Sequence, residues 1–509
     1  MLWRCAAVCF LLLPHGALGA EPPVTLERVK AALPALEKYA EQTQKQTGVP
    51  GMVVGVVFQD QVVYLKGFGV RESGRNEAID TDTVFQIASL SKPMASTVLA
   101  ALVGEGVFRW DDPITDHDPG FQLHGAWVTR AVTFRDLLCH RSGLPDHAGD
   151  LLEDMGYERA EVLRRLRFFK PGYSFRAGYE YTNFGYTEAA VAGARAAGKK
   201  WEDLCVEKLY KPLGMQATSS RFADFAAKEN RARLHARIDG KFVAKYIRDP
   251  DAQSPAGGVS TSGRDYVHWL RLQLNDGKFD GKQLIAAAAL GETHRPQVIS
   301  NPPKNPAVDR AGFYGLGWNV NYGDHGRVRL SHSGAFDLGA ATAVAMLPAE
   351  KLGVFVFTNG APIGVPEAIS FHYLELVETG KADKDWLAIV GPIFAAMAGK
   401  PRDFSKPPAK PTPALPAAAY IGAYSNDLYG PVEIIDQGGL QLRRGPKKVT
   451  LPLRHWDRDT FLYQPVGEMA AGLSAVTFAV NADGKAVSVA IEHLNAEGQG
   501  VLQRVPMGK

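Results

Sequence analysis

The stretch FQIASLSKP, residues 85–93, is the part of this chain from which its fold and chemistry are inferred. An extended apolar run leads to Ser89, and a helix is predicted to follow it, with Pro93 tolerated in the first turn. On a helix, Ser89 and Lys92 lie on one face with their Cβ atoms about 5–6 Å apart. A serine hydroxyl becomes a good nucleophile when a neighbouring base takes its proton, and a lysine with a lowered pKa can be that base. The spacing therefore predicts a serine nucleophile activated by a lysine.

Two further motifs follow in order along the chain. YTN occupies residues 181–183, and HSG occupies residues 332–334 ahead of a predicted strand at 342–346. With the first motif, they resemble the serine β-lactamase and penicillin-binding-protein superfamily. The resemblance is strongest to the branch that holds class C β-lactamases, D-amino-acid peptidases and carboxylesterases. It covers about residues 30–385.

Shorter landmarks of the same branch fall in the expected order. They are TFRDLLCHRSGLP at 133–145, KPLGM at 211–215, AGG at 256–258 and YGLGW at 314–318. His140, within the first of these, is interpreted as a turn residue rather than a catalyst. The resemblance thus extends well beyond the three catalytic motifs.

The resemblance implies a role for each matching residue. Ser89 is expected to be the acylated nucleophile, and Lys92 is expected to hydrogen-bond to it. Lys92 and Tyr181 would share the general-base work, with the phenol relaying a proton to the leaving group. Asn183 would bind Lys92 and the amide on the acyl side of the substrate.

The HSG motif, His332, Ser333 and Gly334, is expected to complete the substrate site. The oxyanion hole would consist of the backbone N–H groups of Ser89 and Ala335, and Gly334 leaves room for the substrate. Class C β-lactamases usually carry lysine where this chain has His332, whereas histidine is more typical of the D-peptidase and carboxypeptidase members. If His332 is not simply structural, binding of carboxylate substrates is expected to weaken as its imidazole loses a proton.

Residues 21–398 combine both secondary-structure periodicities. Strand pairs are predicted at 52–58 with 62–69 and at 342–346 with 354–358; helices are predicted at 89–104, 134–139, 160–169, 184–197 and 264–275. Strands at both ends with helices between them predict one partly antiparallel sheet next to a helical insert. The resemblance implies an α+β, β-lactamase-like antiparallel sheet flanked by helices.

The C-terminal part of the chain differs in composition. Residues 399–416 contain six prolines and three lysines, which predicts an extended, semi-rigid linker. Residues 417–509 alternate apolar and polar positions, with a hairpin at Asp483-Gly484, and predict a small antiparallel β domain. This domain resembles the lipocalin-like barrel appended to some members of the branch. Two hypotheses are open for it: a rim that limits substrate size, or an independent module.

The first 20 residues have the layout of a secretory signal peptide. We therefore expect an exported bacterial protein, periplasmic or secreted, without a membrane span after cleavage; an uncleaved anchor or a packed helix is the alternative. Cleavage would remove Cys5 and Cys9. Cys139 and Cys205 would be left, either joined to each other or buried as free thiols.

Composition and motif spacing exclude several classes of function. The 509 residues carry a net charge of only +3, which gives no electrostatic basis for binding nucleic acid. The 13 histidines show no metal-ligand spacing, so neither a metal nor another cofactor is predicted. No G-x-S-x-G elbow surrounds Ser89, which disfavours an α/β-hydrolase. Partners are expected to be small-molecule or peptide substrates, and the oligomeric state is not predicted.

The predicted function is a serine hydrolase that acts on amide or ester bonds through an acyl-enzyme. A D-amino-acid-specific peptidase or carboxypeptidase-like enzyme is favoured, followed by a class C-like β-lactamase and then a carboxylesterase. Two alternatives lie outside catalysis: a penicillin-binding sensor that is acylated but does not turn over, and a pseudoenzyme whose function lies in its β domain. The intact pair of Lys92 and Tyr181 argues against the sensor.

Overall fold

A computed structural model describes residues 23–323, 326–397 and 402–506, so the predicted signal peptide lies outside the described residues. The α-helices in the described part are α1 (Leu26–Thr47), α2 (Ser91–Gly104), α3 (Ala126–Ala131), α4 (Phe134–Leu138), α5 (Asp150–Asp154), α6 (Arg159–Arg165), α7 (Asn183–Ala196), α8 (Trp201–Cys205), α9 (Phe222–Ala226), α10 (Ser254–Gly257), α11 (Gly263–Leu274), α12 (Ala287–Thr293), α13 (Val365–Thr379) and α14 (Trp386–Met397). Short 3-10 turns lie at Ala88–Leu90, Ile114–Asp116, Leu166–Phe168, Asp251–Gln253, Pro348–Glu350, Ala417–Ala419 and Glu492–Leu494, and a π-helical turn at Val206–Tyr210.

The strands fall into two groups along the chain. Those before the proline-rich segment are β1 (Gly51–Phe58), β2 (Gln61–Gly69), β3 (Val84–Gln86), β4 (Ala236–Ile238), β5 (Lys241–Val243), β6 (Ser260–Ser262), β7 (Lys278–Phe279), β8 (Lys282–Gln283), β9 (Val298–Asn301), β10 (Gly312–Tyr314), β11 (Asn319–Tyr322), β12 (Val328–Phe336), β13 (Ala340–Leu347) and β14 (Leu352–Thr358). Those after it are β15 (Gly422–Asn426), β16 (Gly430–Asp436), β17 (Leu440–Arg444), β18 (Val449–Pro452), β19 (Arg454–Asp457), β20 (Thr460–Tyr463), β21 (Ser474–Val480), β22 (Ala486–Ile491) and β23 (Val501–Val505).

The first large sheet has eight strands in the order β2-β1-β14-β13-β12-β11-β10-β9. The strand pairs predicted at 52–58 with 62–69 and at 342–346 with 354–358 lie in it. Every neighbouring pair is antiparallel, which corrects the prediction of a partly antiparallel sheet. Tight turns and short loops join most of its neighbouring strands, and such connections require antiparallel pairing.

The central strands β1, β13 and β14 are buried along their whole length, because helices cover both faces of the sheet. On the outer face, α1 and α13 pack against residues such as Val54 and Val356, both 0% exposed. On the inner face, Val53 and Phe357 belong to a separate core cluster that includes α2 and α11. The helical insert predicted between the two ends of the sheet lies on this inner side.

The nine strands of the second sheet have the order β18-β17-β16-β15-β23-β22-β21-β20-β19. Its two edge strands, β18 and β19, are consecutive in sequence and separated only by Leu453. The sheet must therefore curl until its edges meet, which makes a nearly closed antiparallel barrel. The alternating apolar side chains point inward, as Val432, Ile434 and Leu442 are at most 1% exposed. The fold is thus α+β with a C-terminal all-β barrel, as the sequence predicts.

The proline-rich segment 399–416 is described from residue 402 onward. Residues 402–416 contain no helix or strand, but they contact the barrel. The side chain of Phe404 is buried against Leu462, and the backbone N–H of Thr412 donates to Asp457 Oδ1 at 2.7 Å. This part of the segment is therefore held along the barrel surface.

Cys139 and Cys205 are both buried and hold free thiols, which decides between the two alternatives that the sequence leaves open. Burial raises the pKa of each thiol to about 12, so neither is a ready nucleophile. Within the described residues, no helix is long and apolar enough to cross a membrane.

Candidate active site

The nucleophile candidate lies on a strained turn. Strand β3 ends at Gln86, and Ser89 occupies the 3-10 turn that precedes α2, so the extended run is three residues shorter than predicted. Ala88 has a φ of +46°, a region that residues with a side chain rarely adopt. The hydroxyl of Ser91 stabilises this turn, because it donates to Ala88 O at 2.6 Å and accepts from Val259 N at 2.9 Å.

Lys92 points from the first turn of α2 toward Ser89. Its Nζ lies 3.2 Å from Ser89 Oγ, 2.7 Å from Asn183 Oδ1 and 3.1 Å from Ala256 O. The side chain is completely buried, and this burial lowers the pKa of the amine to about 7 despite the opposing effect of Asp150. Near neutral pH a large fraction of the amine is therefore uncharged and able to accept a proton.

Tyr181 adjoins the same two groups. Its hydroxyl is hydrogen-bonded to Ser89, and its ring centroid lies 4.4 Å from Lys92 Nζ. Burial raises the pKa of the phenol well above 10. In this state the phenol holds its proton and Lys92 is the better base. The expected sharing of the work between the two is thereby narrowed: Lys92 accepts the serine proton, and Tyr181 can donate one.

Asp150 connects the catalytic lysine to the outside of the site. Asn183 Nδ2 donates to Asp150 Oδ2 at 2.8 Å, and the same oxygen lies 2.6 Å from His147 Nδ1. Burial opposes a charge on His147, but the hydrogen bond and charge of Asp150 raise the pKa of its imidazole to about 9. A row of polar side chains thus runs from Lys92 to the partly exposed His147.

Aromatic side chains pack around Tyr181 and the neighbouring backbone. The ring of His140 lies 4.6 Å from that of Tyr181, and its Nδ1 accepts from the backbone N–H of Thr182 at 3.2 Å. His140 also has a φ of +61°, in agreement with its interpretation as a turn residue. Tyr186, from α7, donates its hydroxyl to Lys92 O at 2.7 Å. These contacts fix the loop that presents the phenol to Ser89.

The HSG motif lies within β12, beside the turn that carries Ser89. A Cβ added to Gly334 would come within 2.4 Å of both Ile87 O and Thr342 Oγ1 and 3.0 Å of Ser89 N. Only a glycine allows this close approach of strand to turn. Ala335, the next residue of the strand, is exposed.

The two residues before Gly334 face opposite sides of the sheet. His332 is buried on the inner side, where its Nε2 lies 2.9 Å from Tyr314 Oη and its Nδ1 2.7 Å from Ser333 O. Burial and the charge of Lys92 lower the pKa of its imidazole to about 3. Ser333 points to the outer side and hydrogen-bonds to the Glu367 carboxyl.

This setting corrects the expectation for His332. The sequence predicts that its deprotonation weakens carboxylate binding near neutral pH. With a pKa of about 3, the imidazole is already neutral throughout that range, and both ring nitrogens have partners inside the protein. His332 is therefore placed to orient Tyr314 rather than to supply a cation.

The barrel reaches the end of β12. Its loop 464–473, between β20 and β21, carries Glu468, whose Oε1 accepts from Asp337 N at 2.5 Å. Asp337 lies two residues beyond Ala335. The backbone N–H of Glu468 in turn donates to Asp154 Oδ1 at 2.9 Å, on the catalytic side. The loop is thus attached to both sides of the site's outer end.

A buried ion pair underlies that loop. Arg248 Nη2 lies 2.6 Å from Glu153 Oε2, and Arg248 Nε lies 3.6 Å from Glu468 Oε2. Burial raises the pKa of Glu153 to about 7 and that of Glu468 to about 8, although Arg248 opposes both shifts. The contact between barrel and catalytic domain therefore contains desolvated charge.

The structure brings together six of the residues that the sequence predicted to form the site, namely Ser89, Lys92, Tyr181, Asn183, His332 and Gly334, and Ala335 follows Gly334 on the same strand. Ser333 belongs to the same strand but faces away. Sequence inference missed Asp150, His147 and Tyr314, although His147 and Asp150 stand next to the SGLP landmark. Within the described ranges, no three His, Cys, Asp or Glu side chains are grouped so as to hold a metal ion.

Two family descriptions match this chain. The one named Beta-lactamase matches residues 36–377, and a domain of unknown function, DUF3471, matches residues 406–503. The second match falls on the barrel and the segment before it.

Relatives and a solved structure give a consistent picture. The chain is 24% identical to "Unguisins hydrolase ungD" of Aspergillus violaceofuscus over 92% of this chain and 90% of that protein. It is 27% identical to "Penicillin-binding protein 4" of Amycolatopsis lactamdurans, over 61% of this chain and 81% of that one. The octameric penicillin-binding protein homologue from Pyrococcus abyssi shares the fold, with a TM-score of 0.60 at 19% identity, over 92% of this chain and 99% of that one.

Proposed function

This chain belongs to the β-lactamase family, and on that premise we propose that it is a serine hydrolase working through an acyl-enzyme. The observation that carries the proposal is the 3.2 Å contact between Lys92 Nζ and Ser89 Oγ. The lysine is buried and its pKa is about 7, so an uncharged amine is available to take the serine proton. Tyr181 holds its proton and is placed to give it away.

Acylation then follows from these positions. Ser89 Oγ attacks the carbonyl carbon of an amide or ester while its proton passes to Lys92 Nζ. The backbone N–H groups of Ser89 and Ala335 bind the oxygen on which negative charge develops. The bond from the carbonyl carbon to the leaving nitrogen or oxygen breaks, the leaving group takes the Tyr181 proton, and Tyr181 recovers one from Lys92.

Deacylation reverses the same proton path. Water attacks the ester carbonyl of acylated Ser89 and loses a proton to the neutral amine of Lys92. The bond to Ser89 Oγ breaks, and the serine oxygen receives a proton by way of Tyr181. An acid product and the free enzyme result, so no other reactant is needed.

We propose an acyl group that resembles a D-amino-acid residue, which makes a D-amino-acid-specific peptidase or carboxypeptidase-like enzyme the favoured function. His332 supports it over a class C-like β-lactamase, because histidine at this position is more typical of the D-peptidase and carboxypeptidase members of the branch that the sequence resembles. The name of one relative, "Unguisins hydrolase ungD", supports hydrolysis as the reaction, and that of another, "Penicillin-binding protein 4", supports binding of a penicillin-like compound. A carboxylesterase is the third candidate.

A substrate panel tests this proposal. It consists of D-Ala-D-Ala peptides, D-aminoacyl amides, a chromogenic cephalosporin and short p-nitrophenyl esters, each with wild type and Ser89→Ala. We expect turnover of the D-amino-acid substrates, with a loss of at least about 10³-fold in Ser89→Ala. Turnover that survives Ser89→Ala would contradict the mechanism, and turnover of the cephalosporin alone would replace the favoured substrate class.

The panel also separates an enzyme from a sensor. Intact-protein mass spectrometry after mixing with a β-lactam would show an adduct on Ser89. We expect this adduct to decay, because Lys92 and Tyr181 are available for deacylation. A permanent adduct, with no turnover of any substrate, would support a penicillin-binding sensor instead.

The barrel loop 464–473 supports a second element of the proposal, a limit on substrate size. Its Glu468 is bonded to Asp337, two residues from the proposed oxyanion donor Ala335, so the loop borders the mouth of the site. We expect Glu468→Ala to raise kcat/KM for long peptides several-fold and to leave that for short esters unchanged. Asp483→Ala, in an exposed turn of the same barrel, is the matched control. Equal effects on short and long substrates would favour the independent module.

The leader supports a proposal about location. Because residues 1–20 have the layout of a signal peptide, we propose that the enzyme works outside the cytoplasm, in the periplasm or secreted. Cell fractionation, with sequencing of the mature N-terminus, tests this. A chain that stays in the cytoplasm with its leader intact would contradict it.

A further inference from the structure

Helix α14 exposes apolar side chains where a surface helix normally has polar ones. None of its 12 residues is charged, and Ile389, Ile393 and Met397 are 46%, 55% and 75% exposed. These three are four positions apart, so they form one stripe along the helix. The α14 face consists of the exposed residues Ala388, Ile389, Pro392, Ile393, Ala395, Ala396 and Met397.

The opposite side of α14 is firmly packed. Val390 is buried, and a Cβ added to Gly364, just before α13, would meet the side chains of Val390 and Phe394. Trp386 Nε1 donates to Glu375 Oε2 on α13 at 2.7 Å. Because these contacts fix the orientation of the helix, the α14 face is held outward. A helix that is apolar on all sides requires a cover on each of them.

A second exposed apolar segment adjoins the same loop. Phe242 packs on Gly360, and Val390 packs on Gly364, so the β4–β5 hairpin and α14 flank residues 360–364. After the hairpin, Tyr246 is 41% and Ile247 is 73% exposed.

Basic residues lie on the hairpin segment and in the sequence that follows α14. Lys241 and Lys245 are exposed on the hairpin and its continuation, and Lys245 Nζ lies 5.2 Å from the Tyr246 ring centroid. The chain directly after α14, residues 400–410, contains four basic residues and one acidic residue. Of these, Lys406 and Lys410 are exposed. An apolar surface with an aromatic ring and lysines at its border is typical of a protein that lies in a membrane interface.

We propose that the α14 face is a docking surface for an anionic phospholipid membrane. The apolar stripe enters the boundary between headgroups and acyl chains, while Lys241 and Lys245 contact the headgroups. Helix α14 is too short to cross a bilayer, so the protein lies on the surface rather than spanning it. Basic side chains near an anionic surface add electrostatic attraction, so the lysines and the apolar stripe together give stable binding.

The charges favour a membrane over a second copy of this chain as the cover. In a two-fold symmetric dimer through the α14 face, the same patch meets itself. The lysines at its border would then face the lysines of the other copy, which opposes association. An anionic lipid surface, in contrast, offers opposite charge along the whole border.

Vesicle binding by the full chain, as the expressing cell processes it, tests the proposal. The vesicles are either pure phosphatidylcholine or equal parts of phosphatidylcholine and phosphatidylglycerol. We expect at least about tenfold tighter binding to the anionic vesicles, and a loss of about tenfold or more in Ile389→Glu/Ile393→Glu. The matched control is Ile299→Glu/Val308→Glu, at residues 50% and 74% exposed elsewhere on the catalytic domain, and it should bind as wild type. Thermal unfolding verifies that each variant is folded.

A second variant pair separates charge from apolar contact. Lys241→Glu/Lys245→Glu should weaken binding to anionic vesicles several-fold without changing that to phosphatidylcholine. Equal vesicle binding by wild type and Ile389→Glu/Ile393→Glu would overturn the proposal. Concentration-dependent self-association without lipid, abolished by Ile389→Glu/Ile393→Glu, would also overturn it, and would assign the face to a second copy.

Discussion

The two faces of the eight-stranded sheet carry different kinds of side chain. The outer face is a hydrophobic layer in which residues such as Val54 and Val356 pack against α1 and α13. On the inner face, β12 places His332 and Gly334 against the turn that carries Ser89, with the buried amine of Lys92 beside them. The same strands thus serve stability on one side and chemistry on the other. A substitution should therefore affect stability or catalysis according to the face that it touches.

The inner face departs from the rules that favour stability. Lys92, with its buried amine, and Ala88, with its positive φ, stand within three residues of Ser89, and Gly334, which has no room for a Cβ, packs against the same turn. Each feature is unfavourable by itself and has a use in the proposed reaction. The outer face, apart from the buried carboxyl of Glu367 on α13, is a layer of apolar side chains that excludes water.

Lys92→Met is expected to give the largest effect, and to give it in catalysis alone. Methionine has a similar length but no base, so we expect acylation to slow by about 10³-fold or more. The free energy of unfolding should change by less than about 1 kcal/mol, because loss of three hydrogen bonds offsets relief from burying an amine. Single-turnover kinetics and urea unfolding measure the two effects. A large loss of stability would show that the lysine belongs to the fold as much as to the site.

The pH profile of kcat/KM of the wild type should report the titration of the Lys92 amine. Only the neutral form of Lys92 accepts the serine proton, so kcat/KM should rise as pH passes upward through about 7. His332, with a pKa near 3, should add no transition between pH 5 and 8. A second transition in that range, removed by His332→Gln, would contradict the assignment.

Leu374→Ala, on the outer face, is expected to reverse this pattern. Leu374 is 0% exposed within the layer of α1 and α13, so its truncation should lower the free energy of unfolding by about 2–5 kcal/mol. The kcat of the folded variant should stay within about twofold of wild type, because the cavity lies across the sheet from Ser89. Urea unfolding and steady-state kinetics on one preparation test both halves. A kcat loss of tenfold would break the separation of the two faces.

Glu367→Gln is expected to give the smallest effect. Glu367 lies on α13 in the outer layer and hydrogen-bonds to Ser333 of the HSG motif. Burial raises the pKa of Glu367 to about 7, although its hydrogen bond to Ser333 opposes the shift. The folded state therefore prefers the protonated acid, and stability should fall as pH rises from about 4.5 to about 7. The decrease should be at most about 1 kcal/mol per pH unit and absent in Glu367→Gln. Parallel slopes for wild type and variant in urea unfolding would exclude Glu367 as the titrating group.

The sequence predicted the fold where local periodicity is strong. The strands at 52–58, 62–69, 342–346 and 354–358 and the alternation in the barrel needed only side-chain patterns. Helix α1 was not predicted, although Thr25 caps its start and Gly48, with a φ of +73°, ends it. Its interior carries Pro34 and many charged residues, which weaken the helical pattern.

The site was predictable as a set of motifs but not as an electrostatic unit. The family resemblance predicted that Ser89 and Lys92 lie close to Tyr181 and Asn183, although the two pairs are far apart in sequence. The contact of Asn183 with Asp150 joins positions 33 residues apart, and no periodicity reports it. The neutral state of His332 depends on burial and on Tyr314, which only the folded structure supplies.

The closure of the barrel has a consequence for synthesis of the chain. Strand β23, residues 501–505, pairs with both β15 and β22, so the barrel cannot close before this strand has left the ribosome. The loop that borders the active site belongs to this barrel, whereas every proposed catalytic residue is made more than 160 residues earlier. A nascent or prematurely ended chain would thus carry the complete set of reacting groups with an unbordered mouth. If the loop limits substrate size as proposed, completion of β23 is the event that makes the hydrolytic centre selective.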